Sequence, residues 1–310
     1  MPSGVVIPYW LDRPPEEAVE VAQVAEAAGY RELWIGEMVH FDAFALAGAI
    51  AAQTQKITIT VGPLAVGLRD PVLLAMGVAS VAVIGRRPAG LALGGSTEVV
   101  VERWHGKQWG NEPARMGEAI GLIKSVLAGE RTNYAGDRFV SRGFRSALGA
   151  HETTISVAAF GPRMLAVAER LADRVVVNLV SADYVAAMTE GITKPCVVWV
   201  AVAVDPTPEG LTQLARQVAI YIRSPAYRTA LRASGLGDLI ESVERHPDMP
   251  SSALAEAVTP DHLARVAAFG SRAEVEETLA CYERAGAEVM AVPVTGGDPG
   301  GRRTLTALAG

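Results

Sequence analysis

Few side chains in this sequence are equipped for acid–base or metal chemistry, and where they stand narrows what the chain can do. A Schiff-base enzyme needs a desolvated lysine at its site. The four lysines do not offer one: Lys56 and Lys194 precede apolar runs, Lys124 lies inside a helical pattern, and Lys107 sits in a polar stretch. A metal hydrolase needs clustered histidines and carboxylates. The five histidines, His40, His105, His151, His246 and His262, show no paired spacing, so no metal ligand set is expected. A glycosidase needs two acids across one cleft. Glu37, with His40 three residues on, follows the apolar run Leu33–Ile35, but no second acid closely follows the comparable runs, and Asp205 beside Pro206 reads as a turn or cap.

The residues just after the other apolar runs are small and weakly polar. Gly62-Pro63 succeeds Ile57–Val61, and Gly94-Gly95-Ser96-Thr97 succeeds Gly90–Leu93. Ala159-Phe160-Gly161-Pro162-Arg163 succeeds Ile155–Ala158, and Asn178-Leu179 succeeds Val175–Val177. Proline inside a strand removes a ladder hydrogen bond, so Gly62-Pro63 marks either the end of its strand or a bulge, and the Gly-Pro bond could be cis. Gly94 to Thr97 offers backbone N–H groups and two hydroxyls beside a helix start, which suits phosphate. At Gly161-Pro162-Arg163, proline can occupy the first helical position, glycine admits a ligand, and arginine adds charge. Ordinary helix caps share these features, but two such sites after successive runs suit a flat organic ring with an anionic tail better than an acid–base machine.

The elements that must position these residues are periodic. Eight short, β-branched runs (Gly4–Pro8, Leu33–Ile35, Ile57–Val61, Gly90–Leu93, Ile155–Ala158, Val175–Val177, Val197–Val204 and Val289–Val292) are nearly all followed by a helix-length segment. Continuous rather than alternating apolar runs indicate strands buried on both faces. The expected fold class is therefore α/β, a closed (β/α)8 TIM barrel whose chemistry lies beyond the strands' C-terminal ends. Helices are expected from Pro14 to about Gly29, Ala43 to Thr54 capped by Asp42, Asp70-Pro71 to Val83, about Ala114 to Leu127, Ala273 to Ala285, and Thr304 to Ala309. Insertions follow strands four and seven. Arg131 to Ala150 holds a turn between short strands, and roughly Pro206 to Pro260 holds helical pattern only. One domain, 1–310, is the simplest count for 310 residues.

Composition removes further classes. Half the residues are hydrophobic, and the net charge is −6 with no basic stripe, which argues against nucleic acid as a partner. No apolar stretch is long enough to span a bilayer, and no basic segment leads into an apolar one at the start, so a soluble, cytoplasmic protein with no membrane partner is expected. Cys196 and Cys281 read as reduced core residues. Met76, Met116 and Met164 read as core by helical spacing. Trp104, His105 and Trp109 read either as a lid over the site or as ordinary packing, and nothing fixes the direction of Tyr221 or Arg223 in the second insertion.

A family resemblance joins these observations. The residues that carry it are Ala27 to Glu37, Asp42-Ala43-Phe44, Thr60-Val61-Gly62-Pro63, Arg69-Asp70-Pro71, Leu91 to Ser96, Ala158 to Met164, Leu171 to Leu179 and Gly270 to Val275. In order and spacing they resemble the bacterial luciferase-like monooxygenase family, in particular its branch using the deazaflavin coenzyme F420. The resemblance implies an oxidoreductase that passes a hydride between F420 and a small organic substrate, in a homodimer. Gly62 and Pro63 would support the middle of the ring. Gly94, Gly95, Ser96 and Thr97 would meet its edge and ribityl chain. Gly161, Pro162 and Arg163, with Asn178 nearby, would hold the phosphate; Phe160, beside that turn, reads either as facing the cofactor or as filling core. Glu37 and His40 would lie by the reactive face, Glu37 orienting or polarising and His40 relaying a proton, although His40 reads equally as a solvent-facing loop residue. One departure counts against sugar-phosphate or simple alcohol oxidation: the branch's catalytic histidine falls at Met38 here, and its acid after strand four at Thr97. An FMN-dependent two-component monooxygenase is the alternative within the class, and a non-catalytic flavin-binding barrel the alternative outside it.

Overall fold

The structure is a computed structural model describing residues 2–309; the outermost residue at each end of the expected domain lies outside them. In chain order the first elements are β1 (Gly4–Val6), α1 (Glu17–Ala27), β2 (Glu32–Ile35), α2 (Ala43–Gln53), β3 (Thr58–Ala65), α3 (Pro71–Gly85) and β4 (Ala89–Gly94). A π-helical turn, Val99–Trp104, leads to α4 (Glu112–Leu127), β5 (Asn133–Ala135), β6 (Val140–Arg142), β7 (Ile155–Ala158), α5 (Pro162–Leu171) and β8 (Arg174–Asn178). Next come α6 (Ala182–Thr189), β9 (Cys196–Val204), α7 (Pro208–Ile222), α8 (Pro225–Ala233), α9 (Gly237–Arg245), α10 (Ser251–Ala257) and α11 (Pro260–Ala264). The chain ends with β10 (Ala267–Gly270), α12 (Arg272–Arg284), β11 (Ala287–Pro293), a 3-10 turn at Pro299–Gly301 and α13 (Arg302–Leu308).

Hydrogen-bonded neighbours run β10-β9-β11-β1-β2-β3-β4-β7-β8, and β8 pairs with β9. Eight parallel strands thus close on themselves as the expected α/β barrel, and all eight apolar runs are its staves. The reason is visible in burial: all nine residues of β9 and all six of β4 are buried, as covering on both faces requires.

The chain divides into two compact units. In the first, residues 1–30 and 177–310, β11 pairs with β9 from Ala287↔Cys196 to Pro293↔Val202 and β1 pairs with β11. The insertion after β9 is helical, as expected, and folds around a core that includes Leu214, Val218, Ile222, Leu231, Leu239 and Ile240. The strand that follows it, β10, pairs with the upper part of β9 from Ala267↔Ala201 to Gly270↔Val204. The sequence pattern does not announce this strand. Helix α1 begins three residues after Pro14 because Pro14-Pro15 forms a turn that receives the Glu17 N–H. Cys196 is buried, its thiol pushed up to about 12 by burial, whereas Cys281 is only half-buried on α12, so the expectation of two core thiols holds for one of them.

The second unit, residues 31–176, holds β2 pairing with β3, β3 with β4, β4 with β7, and β7 with β8. Asp42 and Asp70 cap α2 and α3 as the sequence indicates, accepting the Ala45 and Val72 N–H groups. Strands β5 and β6 form the expected antiparallel hairpin. Met116 is buried, but Met76 faces outward at 39% exposure, and Met164 is only half-buried.

Candidate functional site

In the second unit, the C-terminal ends of β2, β3, β4 and β7 carry most of the residues expected to form the site. At β3 the ladder to β4 slips: Val61 pairs with Leu91 but Leu64 with Leu93, so one extra residue bulges at Gly62-Pro63. Gly62 has φ +121°, and a Cβ there would lie 2.1 Å from the Ala92 carbonyl oxygen, so only glycine fits. The Gly62–Pro63 peptide is cis. Of the two readings of this dipeptide, the bulge holds, and β3 continues to Ala65.

Gly94 closes β4, and a Cβ on it would stand 3.4 Å from Pro63 Cβ and 3.7 Å from Ala158 Cβ. The ends of β3, β4 and β7 therefore come together around Gly94, which has no side chain of its own. Ser96 adopts a left-handed conformation, φ +63°. The Thr97 hydroxyl is already engaged, accepting the Val100 N–H at 3.3 Å at the start of the π-helical turn. Behind Gly95 stands Glu112, buried at the head of α4; its Cβ lies 3.4 Å from where a Gly95 Cβ would be. Glu112 Oε1 accepts the Gly110 N–H at 3.2 Å and an Arg115 N–H at 3.0 Å. Burial nevertheless holds this carboxyl above the ordinary carboxylate range.

After β7, Gly161 is the extended residue before α5, with Pro162 in the first turn and no side-chain cap. Nothing lies within 4 Å of a Cβ placed on Gly161, and Gly161, Pro162 and Arg163 are all exposed. Pro162 has no N–H and the Met164 N–H is taken by the Gly161 carbonyl at 3.1 Å, which leaves the N–H groups of Gly161 and Arg163 at this exposed turn for an anion. Arg163 is steadied by Asn111 Oδ1, 3.0 Å from Nη2. Phe160 is half-buried beside this turn.

After β2, Glu37 is not a free carboxylate. Its Oε1 accepts the Ala43 N–H at 3.1 Å and an Arg69 N–H, and its Oε2 accepts Arg69 Nε at 3.1 Å. Arg69 also donates to Asp42 Oδ2 at 2.5 Å, and its guanidinium lies 5.5 Å from the Phe44 ring centroid. The Glu37 hydrogen bond, with Asp42, raises Arg69 above its ordinary value. His40 is exposed and has no hydrogen-bond partner among the described residues. Trp104 is 52% exposed on the π-helical turn, so it does not pack inward.

Asn178 ends β8 and belongs to the first unit, where its carboxamide is taken up by the insertion: Tyr227 donates its hydroxyl to Oδ1 at 3.0 Å. Two participants escaped the sequence reading. Arg69 joins Glu37 across 32 positions, a separation that no local spacing rule reaches. Glu112 is masked because an acid opening a helix is normally only a favourable first-turn charge. Among the described residues, no group of three or more His, Cys, Asp or Glu could hold a metal ion.

Known proteins resemble this chain in sequence and in fold. The 5,10-methylenetetrahydromethanopterin reductase of Methanolobus tindarius is 28% identical over 160 residues, 51% of this chain and 48% of that protein. The chain spans less than half the length of the curated relatives it matches. Among solved structures, the coenzyme F420-dependent tetrahydromethanopterin reductase from Methanopyrus kandleri superposes with a TM-score of 0.82 at 16% identity, covering 99% of this chain and 97% of that one. An F420-dependent secondary alcohol dehydrogenase in complex with an F420-acetone adduct gives 0.75 at 17% identity, covering 99% and 98%. At such identities these likenesses show the fold. A sequence model described as Luciferase-like monooxygenase matches residues 1–288. That match covers nearly the whole barrel: the chain belongs to the luciferase-like monooxygenase family.

Proposed function

We propose that this protein is an F420-dependent oxidoreductase that transfers a hydride between the deazaflavin and a small organic substrate. The single observation that carries this reading is the bulge at Gly62-Pro63 beside Gly94, where the ends of β4 and β7 come together, with an uncapped α5 beyond. These residues fit such a group. Gly62 and Gly94 bring backbone without side chains up to the half-buried Pro63, an apolar lining that would suit one face of a flat ring. The exposed Gly161-Pro162-Arg163 turn supplies N–H donors and a positive charge for an anionic tail. The two F420-dependent enzymes whose folds this chain resembles support that choice of ring.

When bound, the deazaflavin supplies the hydride chemistry. Gly62 and Pro63 would buttress the ring, Gly94, Gly95 and Ser96 would line its edge, and Phe160, Gly161, Pro162 and Arg163 would hold the tail. Glu37 orients: through Arg69 and the Ala43 N–H it fixes the loop after β2. That loop carries His40, whose exposed imidazole is placed to exchange protons with solvent. Asn178 is left out of the cofactor set because its carboxamide is committed to Tyr227. We also propose that the working form is a homodimer, joined through the apolar faces of α2 and α3.

Titration of the purified protein with F420 and with FMN, followed by absorbance and fluorescence, tests the assignment. Saturable F420 binding without FMN binding is expected, and Gly161→Asp with Arg163→Glu should weaken it about tenfold or more by repelling the tail. Tight FMN binding without F420 binding would transfer the assignment to an FMN-dependent monooxygenase. Binding of neither would remove the redox reading.

A further inference from the structure

Between the bulge of β3 and the head of α5, within the second unit, one buried acid is only half satisfied. Glu112 opens α4 and is 6% exposed. Its Oε1 accepts two bonds, from the Gly110 N–H at 3.2 Å and from Arg115 at 3.0 Å. Its Oε2 is buried and has no hydrogen-bond partner among the described residues. A carboxyl oxygen held out of water without a partner is costly, more so than a neutral group, so this oxygen asks for one.

The backbone beside it fixes where Glu112 stands along the site. Gly94 ends β4 and Gly95 follows, and the two face different neighbours. A Cβ on Gly94 would stand 3.4 Å from Pro63 Cβ, whereas one on Gly95 would stand 3.4 Å from Glu112 Cβ, 3.6 Å from Glu112 Cγ and 3.8 Å from Met164 Cε. Gly94 therefore borders the bulge, and Gly95 borders Glu112 and the first turn of α5, to which Met164 belongs. Asn111, the residue before Glu112, is bonded to Arg163 in that same turn. A molecule with its ring at Gly62-Pro63 and its anionic tail at Gly161 and Arg163 passes Gly95 with whatever joins the two, and Gly95 has no side chain to stand between that link and Glu112. The carboxyl then selects the chemistry of the link. An anionic link would be repelled by an ionised Glu112, and an apolar one would leave Oε2 unpaired. Burial raises this carboxyl while Arg115 and the Gly110 N–H lower it, so a partner has to suit either protonation state. A hydroxyl does, because it both donates and accepts.

We propose that Glu112 is a further binding residue of the cofactor site, and that its Oε2 hydrogen-bonds to a hydroxyl of the polyol chain joining ring to phosphate. The assignment rests on the cofactor reading above and adds to it a side chain from α4. It does not depend on which ring is bound, because F420 and FMN both carry a ribityl polyol at that place.

Fluorescence titration of the full chain with ligands that differ only in that chain tests it. 8-Hydroxy-5-deazariboflavin carries ring and polyol, and 8-hydroxy-10-methyl-5-deazaflavin carries the ring alone; riboflavin and lumiflavin are the same pair for the flavin ring. The native protein should bind the polyol member of its preferred pair about 10-fold or more tighter, the worth of a hydrogen bond to a carboxyl group. Glu112→Leu should remove about 10-fold of that preference while the ring alone binds as before. Glu112→Gln, which keeps a donor and an acceptor, should retain most of it. Gly95→Ala is the second probe. Its methyl would meet Glu112 at ordinary contact distances of 3.4 and 3.6 Å, so it should fill the approach to the carboxyl at an unchanged thermal midpoint and lower the preference as Glu112→Leu does. A native protein that binds the ring without preferring the polyol, or a preference that survives both Glu112→Leu and Gly95→Ala, overturns the proposal and leaves the cofactor reading standing. Failure of both F420 and FMN to bind overturns the two together.

Discussion

Gly62 concentrates more constraint than any other residue of the site. Its φ of +121° lies where side chains are rarely tolerated, and a Cβ on it would fall 2.1 Å from the Ala92 carbonyl oxygen, so its bareness is what lets β3 bulge there. Because the obstacle is backbone in a neighbouring stave, it cannot swing aside as a side-chain end would. Gly62→Ala should therefore cost about 2–4 kcal/mol in urea unfolding and abolish F420 binding. Unchanged stability would mean that the ladder slip is not held by this contact.

Arg69 permits a prediction with a sign. Burial raises the Asp42 carboxyl, but the Arg69 hydrogen bond and charge, with backbone N–H bonds, more than offset it, so Asp42 sits below its ordinary range. A carboxyl lowered in the folded state adds stability that is present above its unfolded pKa of roughly 4 and is lost as pH falls through the lower folded value. Arg69→Met should be less stable than the native protein at pH 7, and the gap should narrow as the pH drops below about 4. Since the Asp42 side chain is 49% exposed, added salt should narrow the gap as well. A gap independent of both pH and salt would remove the electrostatic account.

At the scale of the elements, the second unit is locked at the strand ends away from the site. Glu32 starts β2, Thr60 lies early in β3, Ser156 in β7, and Arg174 starts β8. Arg174 grips Glu32 with two bonds of 2.8 and 2.9 Å, Thr60 adds one of 2.5 Å, and the guanidinium lies 5.2 Å from the Trp34 ring centroid. Gly90 makes room, for a Cβ there would fall 2.3 Å from the Thr60 hydroxyl. Glu32→Gln leaves a largely buried guanidinium short of its counter-charge and should cost about 2–4 kcal/mol. Glu32→Leu combined with Arg174→Met should recover most of that loss, and neither protein should change its F420 affinity, because the N-terminal ends of barrel strands serve stability. A fall in affinity at full stability would tie this lock to the site.

Which elements can be read from the sequence depends on what shapes them. The staves are legible because burial on both faces selects uninterrupted β-branched runs, and the ends of α2 and α3 because Asp42 and Asp70 cap them locally. Strand β10 is not, since Ala267-Ala268-Phe269-Gly270 carries no β-branched residue and pairs with a partner more than sixty positions earlier. For the same reason Gly62-Pro63 and Gly161-Pro162-Arg163 are visible, being backbone features written in residue type. The pairings Glu37–Arg69, Glu32–Arg174 and Asn178–Tyr227 span 32, 142 and 49 positions and exist only once the fold brings them together.

At the scale of the molecule, α2 and α3 are too apolar for a face left to water. Neither Ala43–Gln53 nor Pro71–Gly85 contains a charged residue. Leu73, Met76, Val83 and Ile84 are nevertheless 61%, 39%, 47% and 51% exposed. Leu73, Met76, Ser80 and Val83 succeed one another at steps of three and four, which places them in one seam along α3, and the exposed Ala45, Ala49 and Ala52 line α2 beside it. Gly77 brings the two helices close enough that a Cβ there would meet the Phe44 ring at 2.6 Å, so the two helices pack tightly side by side. An uncharged pair of helices with exposed large apolar side chains is the kind of surface a protein partner covers, and the homodimer proposed above would use it on both copies. Sedimentation velocity should show a dimer at micromolar concentration. Met76→Asp with Val83→Asp should convert it to a monomer whose circular dichroism is unchanged, because both side chains point outward. A native protein that sediments as a monomer, or a doubly charged variant that remains dimeric, would reject the α2–α3 face as the interface.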